Sequence, residues 1–316
     1  MVETAIPAGA KSRMHLVEVG PRDGFQALSR PLETRIKLEV IELLVKAGIT
    51  EIQATSFVHP GKLPQMADAE ELIRQLPERA SVRYTALVLN RKGMDRAGES
   101  GLRHVEASVS LSDAHGRRNA GMPLAEAREL APRMIRLALQ YGMAPHASLQ
   151  CAFGCIFEGT VPVDRVLDMV RSCLDAGASH VVLADTTGLA TPASVQRVLE
   201  RIVPEVGPEA LGLHFHDTRG LGLVNCFTAL GFGISRFDTA IGGMGGCPFI
   251  PDAAGNIPTE DTAFLLHSLG KATGLDIDKL TACTQRLENL LGARLPAKIR
   301  PETLHCEATH FEAQHE

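Results

Sequence analysis

Nowhere in this 316-residue chain do about 18 apolar residues run together, the length a membrane-spanning helix requires. No long lysine or arginine cluster occurs either, and the formal charge is −5. General binding to nucleic acid or to an anionic membrane surface demands such clusters, so neither is expected. A Gly-rich dinucleotide turn after an early strand is missing, and the glycines at 242, 243, 245 and 246 are not followed by the Lys-Ser/Thr of a phosphate loop. The seven cysteines are odd in number and irregularly spaced, which fits reduced thiols better than a disulfide framework and leaves one available for chemistry. Met1 to Lys11 holds no apolar signal core, so the expected compartment is the cytoplasm and the expected partners are small molecules and the chain itself.

What is present is enough apolar material for a large core: 45% of residues are hydrophobic and 22% charged. Ile36, Val40, Leu43, Leu44 and Ala47 recur at helical spacing and stop at Gly48, ahead of a strand from Glu51 to Thr55. The same order of helix, glycine and strand recurs at Gly101, Gly177 and Gly233. In each case an apolar residue falls four positions after the glycine: Ile52, Val105, Val181 and Phe237. Further strands are expected over Val82–Leu89, His146–Ala152 and Leu211–His216, and helices over Leu124–Tyr141, Asp164–Ala176, Pro192–Ile202 and Gly220–Phe232.

With the first strand through Val17 and Val19, eight strands alternate with helices, which predicts a closed (β/α)₈ TIM barrel with extra C-terminal helices over Asp261–Ala293. The expected organisation is a flexible N-terminus over 1–13, one catalytic domain over 14–300 and a loosely ordered tail over 301–316.

Three stretches carry the chemistry. In Val17-Glu18-Val19-Gly20-Pro21-Arg22-Asp23-Gly24-Phe25-Gln26 an apolar strand breaks at Gly-Pro and presents a cation beside an anion, expected to project from the strand tip. In Leu211–Gly220, His214 and His216 stand at i and i+2 and face one side of a strand, at the end of a barrel where active sites lie. Two imidazoles and a carboxylate from the first strand, a neighbour of the eighth, can hold a divalent metal. The third stretch runs from Asp238 through Gly242-Gly243-Met244-Gly245-Gly246-Cys247 to Asn256 and reads as a glycine-hinged loop carrying a thiol; a small buried hydrophobe is the alternative for Cys247, and a helix start for Asn256.

Gly20-Pro21-Arg22-Asp23-Gly24, His214-Phe215-His216-Asp217-Thr218, Gly245-Gly246-Cys247-Pro248-Phe249 and Ala254-Gly255-Asn256 together resemble the motifs of the 3-hydroxy-3-methylglutaryl-CoA lyase family, in order and in spacing, from about Met14 to about Gly292. The resemblance implies a metal-dependent carbon–carbon lyase that cleaves a 3-hydroxy-3-alkyl diacid acyl-CoA to acetyl-CoA or another acyl-CoA and a keto acid. It implies Asp23, His214, His216 and Asn256 as ligands of Mg²⁺ or Mn²⁺, and Arg22 facing the thioester carbonyl. It gives Cys247 as the catalytic thiol, Asp23 or His214 as the base, and a homodimer as the assembly.

Gln26, Gln53, Ser56, Asn119 and Asp185 are the expected substrate or CoA contacts. Asn119, in the loop expected after the fourth strand with Arg117 and Arg118, and Asp185 match family positions; a buried structural acid is the alternative for Asp185. A condensing synthase of the same superfamily and a non-catalytic CoA or carboxylate binder are the competing readings. The sequence departs from the family pattern at Gln53, where a Glu is usual, at Phe25, in the loop after Gln26, at His146-Ala147 and at Ile156. These changes spare the metal motifs and predict a preferred substrate other than 3-hydroxy-3-methylglutaryl-CoA, such as a citramalyl-CoA or a longer 3-alkyl homologue.

Overall fold

The structure, a computed structural model, describes residues 13–246 and 255–304. Most of the expected N-terminal segment and tail, and Cys247 with the residues up to Ala254, lie outside the described residues. Eight parallel strands close into a barrel in sequence order: β1 His15–Glu18, β2 Glu51–Ser56, β3 Arg83–Val88, β4 His104–Ser110, β5 Ala144–Gln150, β6 Val181–Ala184, β7 Leu211–His214 and β8 Arg236–Thr239, with β8 pairing back onto β1.

The helices between them include α1 Thr34–Lys46, α2 Ala69–Gln75, α3 Arg91–Glu99, α4 Asp113–Ala120, α5 Leu124–Gln140, α6 Val163–Asp175, α7 Pro192–Val206 and α8 Gly222–Leu230. The expected C-terminal helices are α9 Thr259–Ser268 and α10 Ile277–Leu291, the latter packed against α1, and a short α11 Pro301–Leu304 follows.

The repeated glycine has a structural reason. Gly48, Gly101, Gly177 and Gly233 all have positive φ, between 79° and 104°, and each turns the chain from a helix into the next strand. The apolar residue four positions on is the first deep anchor of that strand; Ile52, Val105, Val181 and Phe237 are fully buried. Along each strand one parity packs under the helices and the other points into the barrel. Val105, Ala107 and Val109 of β4 belong to the apolar core, whereas Glu106 and Ser108 line the inside.

Three expectations are corrected. Arg22 and Asp23 do not project from a strand tip: Gly20–Gly24 winds into a single π-helical turn, opened by Pro21 near its N-terminus, and both side chains are buried. Arg117, Arg118 and Asn119 lie on α4 and not in a loop, because Ser112 accepts a hydrogen bond from the His115 amide and caps a helix there. Strand β7 also ends at His214, two residues before its expected limit; His216 instead makes an isolated antiparallel bridge with Asn256.

Candidate active site

Glu18 positions the first functional turn. Its carboxylate, fully buried, accepts hydrogen bonds from the amides of Gly20 (2.8 Å) and Ile241 (2.9 Å) and from the Thr259 hydroxyl (2.6 Å). The end of β1 is thereby tied to the turn after β8 and to the start of α9. Burial pushes the Glu18 carboxyl up to about 7 despite these donors.

The π-helical turn then presents Arg22 and Asp23 to the barrel mouth. Arg22 donates through Nε to Gln53 Oε1 and pairs through a terminal nitrogen with Asp23 Oδ1. Gln26 adds a hydrogen bond to the same Asp23 oxygen (2.7 Å), and Asn256 donates Nδ2 to the other (2.7 Å) and to the Met244 carbonyl (2.9 Å). Burial by itself would raise the Asp23 carboxyl, but the Arg22 guanidinium and the neighbouring histidines hold it well below the usual carboxylate range.

His214 and His216 meet Asp23 from the other side. Their Nε2 atoms are 3.1 Å apart, and His216 Nε2 lies 3.8 Å from Asp23 Oδ2. Asp23, His214 and His216 can each offer one ligand atom, all within 4.8 Å of one another and all buried. Asp238, a residue of β8 with no role in the sequence motifs, orients His214 through Nδ1 (3.2 Å). Burial disfavours the charged form of both imidazoles; the Asp238 carboxylate overcomes this at His214, whose pKa is raised, whereas that of His216 is lowered.

Asn256 Oδ1 is buried with no hydrogen-bond partner among the described residues, which leaves it free to meet a ligand outside the chain. Gly245 permits this closure: its φ is +126°, and a Cβ there would stand 2.5 Å from Asn256 Nδ2 and 3.2 Å from Asp23 Oδ2. The donor set of carboxylate, amide oxygen and two imidazole nitrogens fits a divalent cation such as Mg²⁺ or Mn²⁺.

Beside this cluster opens a cavity of about 650 Å³ lined by Arg22, Asp23, Gln26, Asn119, His214 and His216 among others. Several expected contacts stand away from its wall. Gln53 acts on the site only through Arg22. Ser56 is buried beneath, its hydroxyl unpaired among the described residues, and Phe25 is packed in the core rather than against the acyl space. Asp185 is also behind the wall: its Oδ1 accepts the amides of Leu189 (2.8 Å) and Ala190 (3.0 Å), and burial pushes its carboxyl up to about 7. Arg117 pairs with Asp113, and Arg118 stacks over the Phe157 ring.

Glu106, Ser108, Ser148 and Gln150 line the cavity without belonging to any of the motifs. The signal available in the sequence was a carboxylate at Glu106 between Val105 and Ala107, in a strand that should otherwise be buried.

Comparison with known proteins agrees with this geometry. The HMGL-like protein family matches residues 13–287. The (R)-citramalyl-CoA lyase of Chloroflexus aurantiacus is 39% identical over 90% of this chain and 93% of its own length. A 3-hydroxy-3-isohexenylglutaryl-CoA/hydroxymethylglutaryl-CoA lyase of Pseudomonas aeruginosa is 36% identical over 89% of this chain and 93% of its own. Among solved structures, an HMG-CoA lyase from Acinetobacter baumannii in complex with coenzyme A and 3-methylmalate superposes with a TM-score of 0.88 at 35% identity, covering 94% of this chain and 98% of that one. With a closed parallel barrel, a buried Asp-His-His cluster at its mouth and relatives that match over nearly their whole lengths, the chain belongs to the HMGL-like family and is a lyase of the hydroxymethylglutaryl-CoA lyase type.

Proposed function

We propose that the protein is a divalent-metal-dependent lyase that cleaves a 3-hydroxy-3-alkyl diacid acyl-CoA into acetyl-CoA, or another acyl-CoA, and a keto acid. The observation that carries this reading is the convergence of Asp23, His214 and His216 within 4.8 Å beside the Arg22 guanidinium. Asp23, His214, His216 and Asn256 Oδ1 would hold the cation, Mg²⁺ or Mn²⁺, which when bound lowers the pKa of a tertiary hydroxyl.

The chain's own groups perform the remaining work. Asp23 and His214 are the two groups placed to take the hydroxyl proton, and the Asp238 carboxylate fixes which His214 nitrogen faces the site. As the carbon–carbon bond breaks, electrons flow into the thioester and charge develops on its oxygen. Arg22 is a fixed donor for that charge, held by Gln53 and Asp23 so that little reorganisation is needed. Cys247 follows directly on Gly245 and Gly246, which line the cavity, and is proposed as the thiol that returns a proton to the acyl carbon. Asn119, on α4 at the cavity wall, is the proposed contact for the CoA arm.

The substrate reading goes further than the reaction. Gln53 cannot carry a proton or offer Arg22 a bidentate carboxylate. With a citramalyl-CoA lyase and an isohexenylglutaryl-CoA lyase among the relatives, we place the preferred substrate among such homologues and not at 3-hydroxy-3-methylglutaryl-CoA. A cytoplasmic homodimer completes the proposal.

The test is turnover of a panel of these thioesters by metal-stripped protein with and without added Mn²⁺. Cleavage that appears only with metal supports the reading, and undiminished turnover without metal overturns it. Gln53→Glu is expected to shift the ranking toward 3-hydroxy-3-methylglutaryl-CoA; if the unaltered protein already has its highest kcat/KM there, the substrate reading is wrong.

A further inference from the structure

The inner faces of β4 and β5 are polar along their upper length. The two strands run in register, pairing Glu106 with His146, Ser108 with Ser148 and Ser110 with Gln150. Their outward neighbours Val105, Ala107, Ala147 and Leu149 are core residues, so the polarity belongs to the inward parity alone. Leu87 of the neighbouring strand β3, which pairs with Glu106, together with Leu89 just beyond it and Leu63, adds apolar surface to the same cavity. A binding site for a plain alkyl group has no need of the polar faces, because polar groups facing an alkyl chain lose water and gain no partner.

Most of this polar row is already engaged. Gln150 donates to the Ser108 hydroxyl (2.9 Å) and accepts from Asn119 (3.3 Å). Glu106 gives one oxygen to His146 Nε2 at 3.1 Å, and His146 is in turn stacked on His180 with ring centroids 4.6 Å apart and planes 9° from parallel. The carboxylate is therefore held in one place. Its other oxygen has no partner among the described residues, and the hydroxyl of Ser148, a residue only 6% exposed, has none either; both residues line the cavity. Burial would raise the Glu106 carboxyl, but the imidazole beside it keeps it low, so it stands as an anion that can only accept.

We propose that Glu106 and Ser148 form a subsite for a hydroxyl-bearing substituent on the acyl chain of the thioester, in addition to the hydroxyl at which the chain is cleaved. A hydroxyl satisfies both groups, donating to the carboxylate and accepting from the serine. An alkyl substituent leaves both unpaired, and a carboxylate in the same place is repelled by Glu106. This inference rests on the lyase reading above and goes beyond its substrate reading, replacing the plain alkyl group of the homologues named there with a hydroxylated one.

The experiment compares three 3-hydroxyglutaryl-CoA thioesters that differ only in the group on the carbinol carbon: methyl, hydroxymethyl or carboxymethyl. They are assayed with Mn²⁺ on the full chain and on Glu106→Gln and Ser148→Ala. The expected result is a kcat/KM for the hydroxymethyl compound at least about 10-fold above either of the others. Each substitution should shrink that ratio, and Ser148→Ala removes too few atoms to disturb the barrel should Glu106→Gln fail to fold. Equal kcat/KM for methyl and hydroxymethyl compounds overturns the subsite, as does a ratio that neither substitution changes. Cleavage of none of the three, nor of a longer 3-alkyl homologue assayed beside them, overturns the lyase reading and the subsite with it, so the two failures are told apart.

Discussion

The two sides of the cavity were assembled by different means. The Asp23, His214 and His216 cluster is gathered from segments almost 200 residues apart, a π-helical turn after β1 and the end of β7 with the bridge beyond it, and it is closed from above by Asn256 at the far side of a glycine loop. The β4–β5 wall comes from two neighbouring strands and follows from register alone. Loops and turns can move a ligand atom by small backbone changes, whereas a strand row is fixed by the ladder and varies only by side-chain replacement. Under the proposals above, the first side carries the reaction chemistry and the second the choice of substrate.

The comparison breaks most visibly at His214. Replacing it with Ala removes a ligand and leaves Asp238 without its imidazole, so turnover should fall by about 10³-fold or more while the far-UV circular dichroism stays unchanged. A variant that keeps activity within a few fold would move the chemistry elsewhere. Next in size is Cys247→Ser, expected to lower kcat by roughly 10²-fold with binding of the thioester within a few fold, the scale of a lost general acid. Loss of binding at constant kcat would assign the thiol a covering role instead.

Gly245→Ala sharpens the comparison from the backbone side. Its Cβ would fall 2.5 Å from Asn256 Nδ2, pushing that amide off Asp23, and the residue is at φ +126°. A loss of about 10-fold in kcat/KM, partly recovered at high Mn²⁺, is expected from a displaced ligand that added metal can re-engage. No response of the loss to metal would separate Gly245 from the metal cluster.

The smallest expected effect concerns stability and pH. Burial raises the carboxyls of Glu18 and Asp185 to about 7 and of Glu260 to about 8, above their ordinary values of 4.5, 3.8 and 4.5. The stability each contributes is complete below its ordinary pKa and is lost as pH rises through the raised one. Two buried histidines act in the opposite direction. Desolvation lowers His180 and takes His115 to about 4, so their contribution grows with pH and is complete above the ordinary 6.5. Between pH 6.5 and 8 the three carboxyls and His214, whose pKa is also raised, favour the fold less as pH rises, while Cys155, taken to about 5 by its hydrogen bond with Cys151, opposes them; the melting temperature of the metal-free protein should fall across that interval. Glu260→Gln, which preserves an acceptor for the Gly242 amide, should flatten the fall; an unchanged slope would remove Glu260 from the account.

The barrel and the reactive cluster were legible in the sequence for separate reasons. The glycine that stops four of the helices and the apolar residue four positions later marked four of the strands, because a left-handed turn and a buried anchor are both requirements on single residues. The fixed spacing of Gly20–Gly24, His214–Asp217 and Gly245–Cys247 carried the family resemblance. Substrate contacts were less legible. Ser56 and Asp185, expected contacts, and Phe25, a departure from the family pattern, stand in the core or behind the wall, because neighbours in sequence on a strand or turn point to opposite sides. Glu106 and Ser148 carried no motif and emerged only from parity.

The sequence by itself determined that eight strands alternate with helices, that they close, and that Asp23, His214 and His216 are available to one another, since periodicity, glycine stops and motif spacing are properties of short segments. Only the tertiary structure decided that the chain after β1 winds into a π-helical turn that buries Arg22 and Asp23, that Asp238 holds His214, and that Glu106 faces the cavity with an oxygen to spare. Those depend on which side of a strand meets which neighbour across the barrel, and that is fixed by closure and register, which no single stretch of the chain contains.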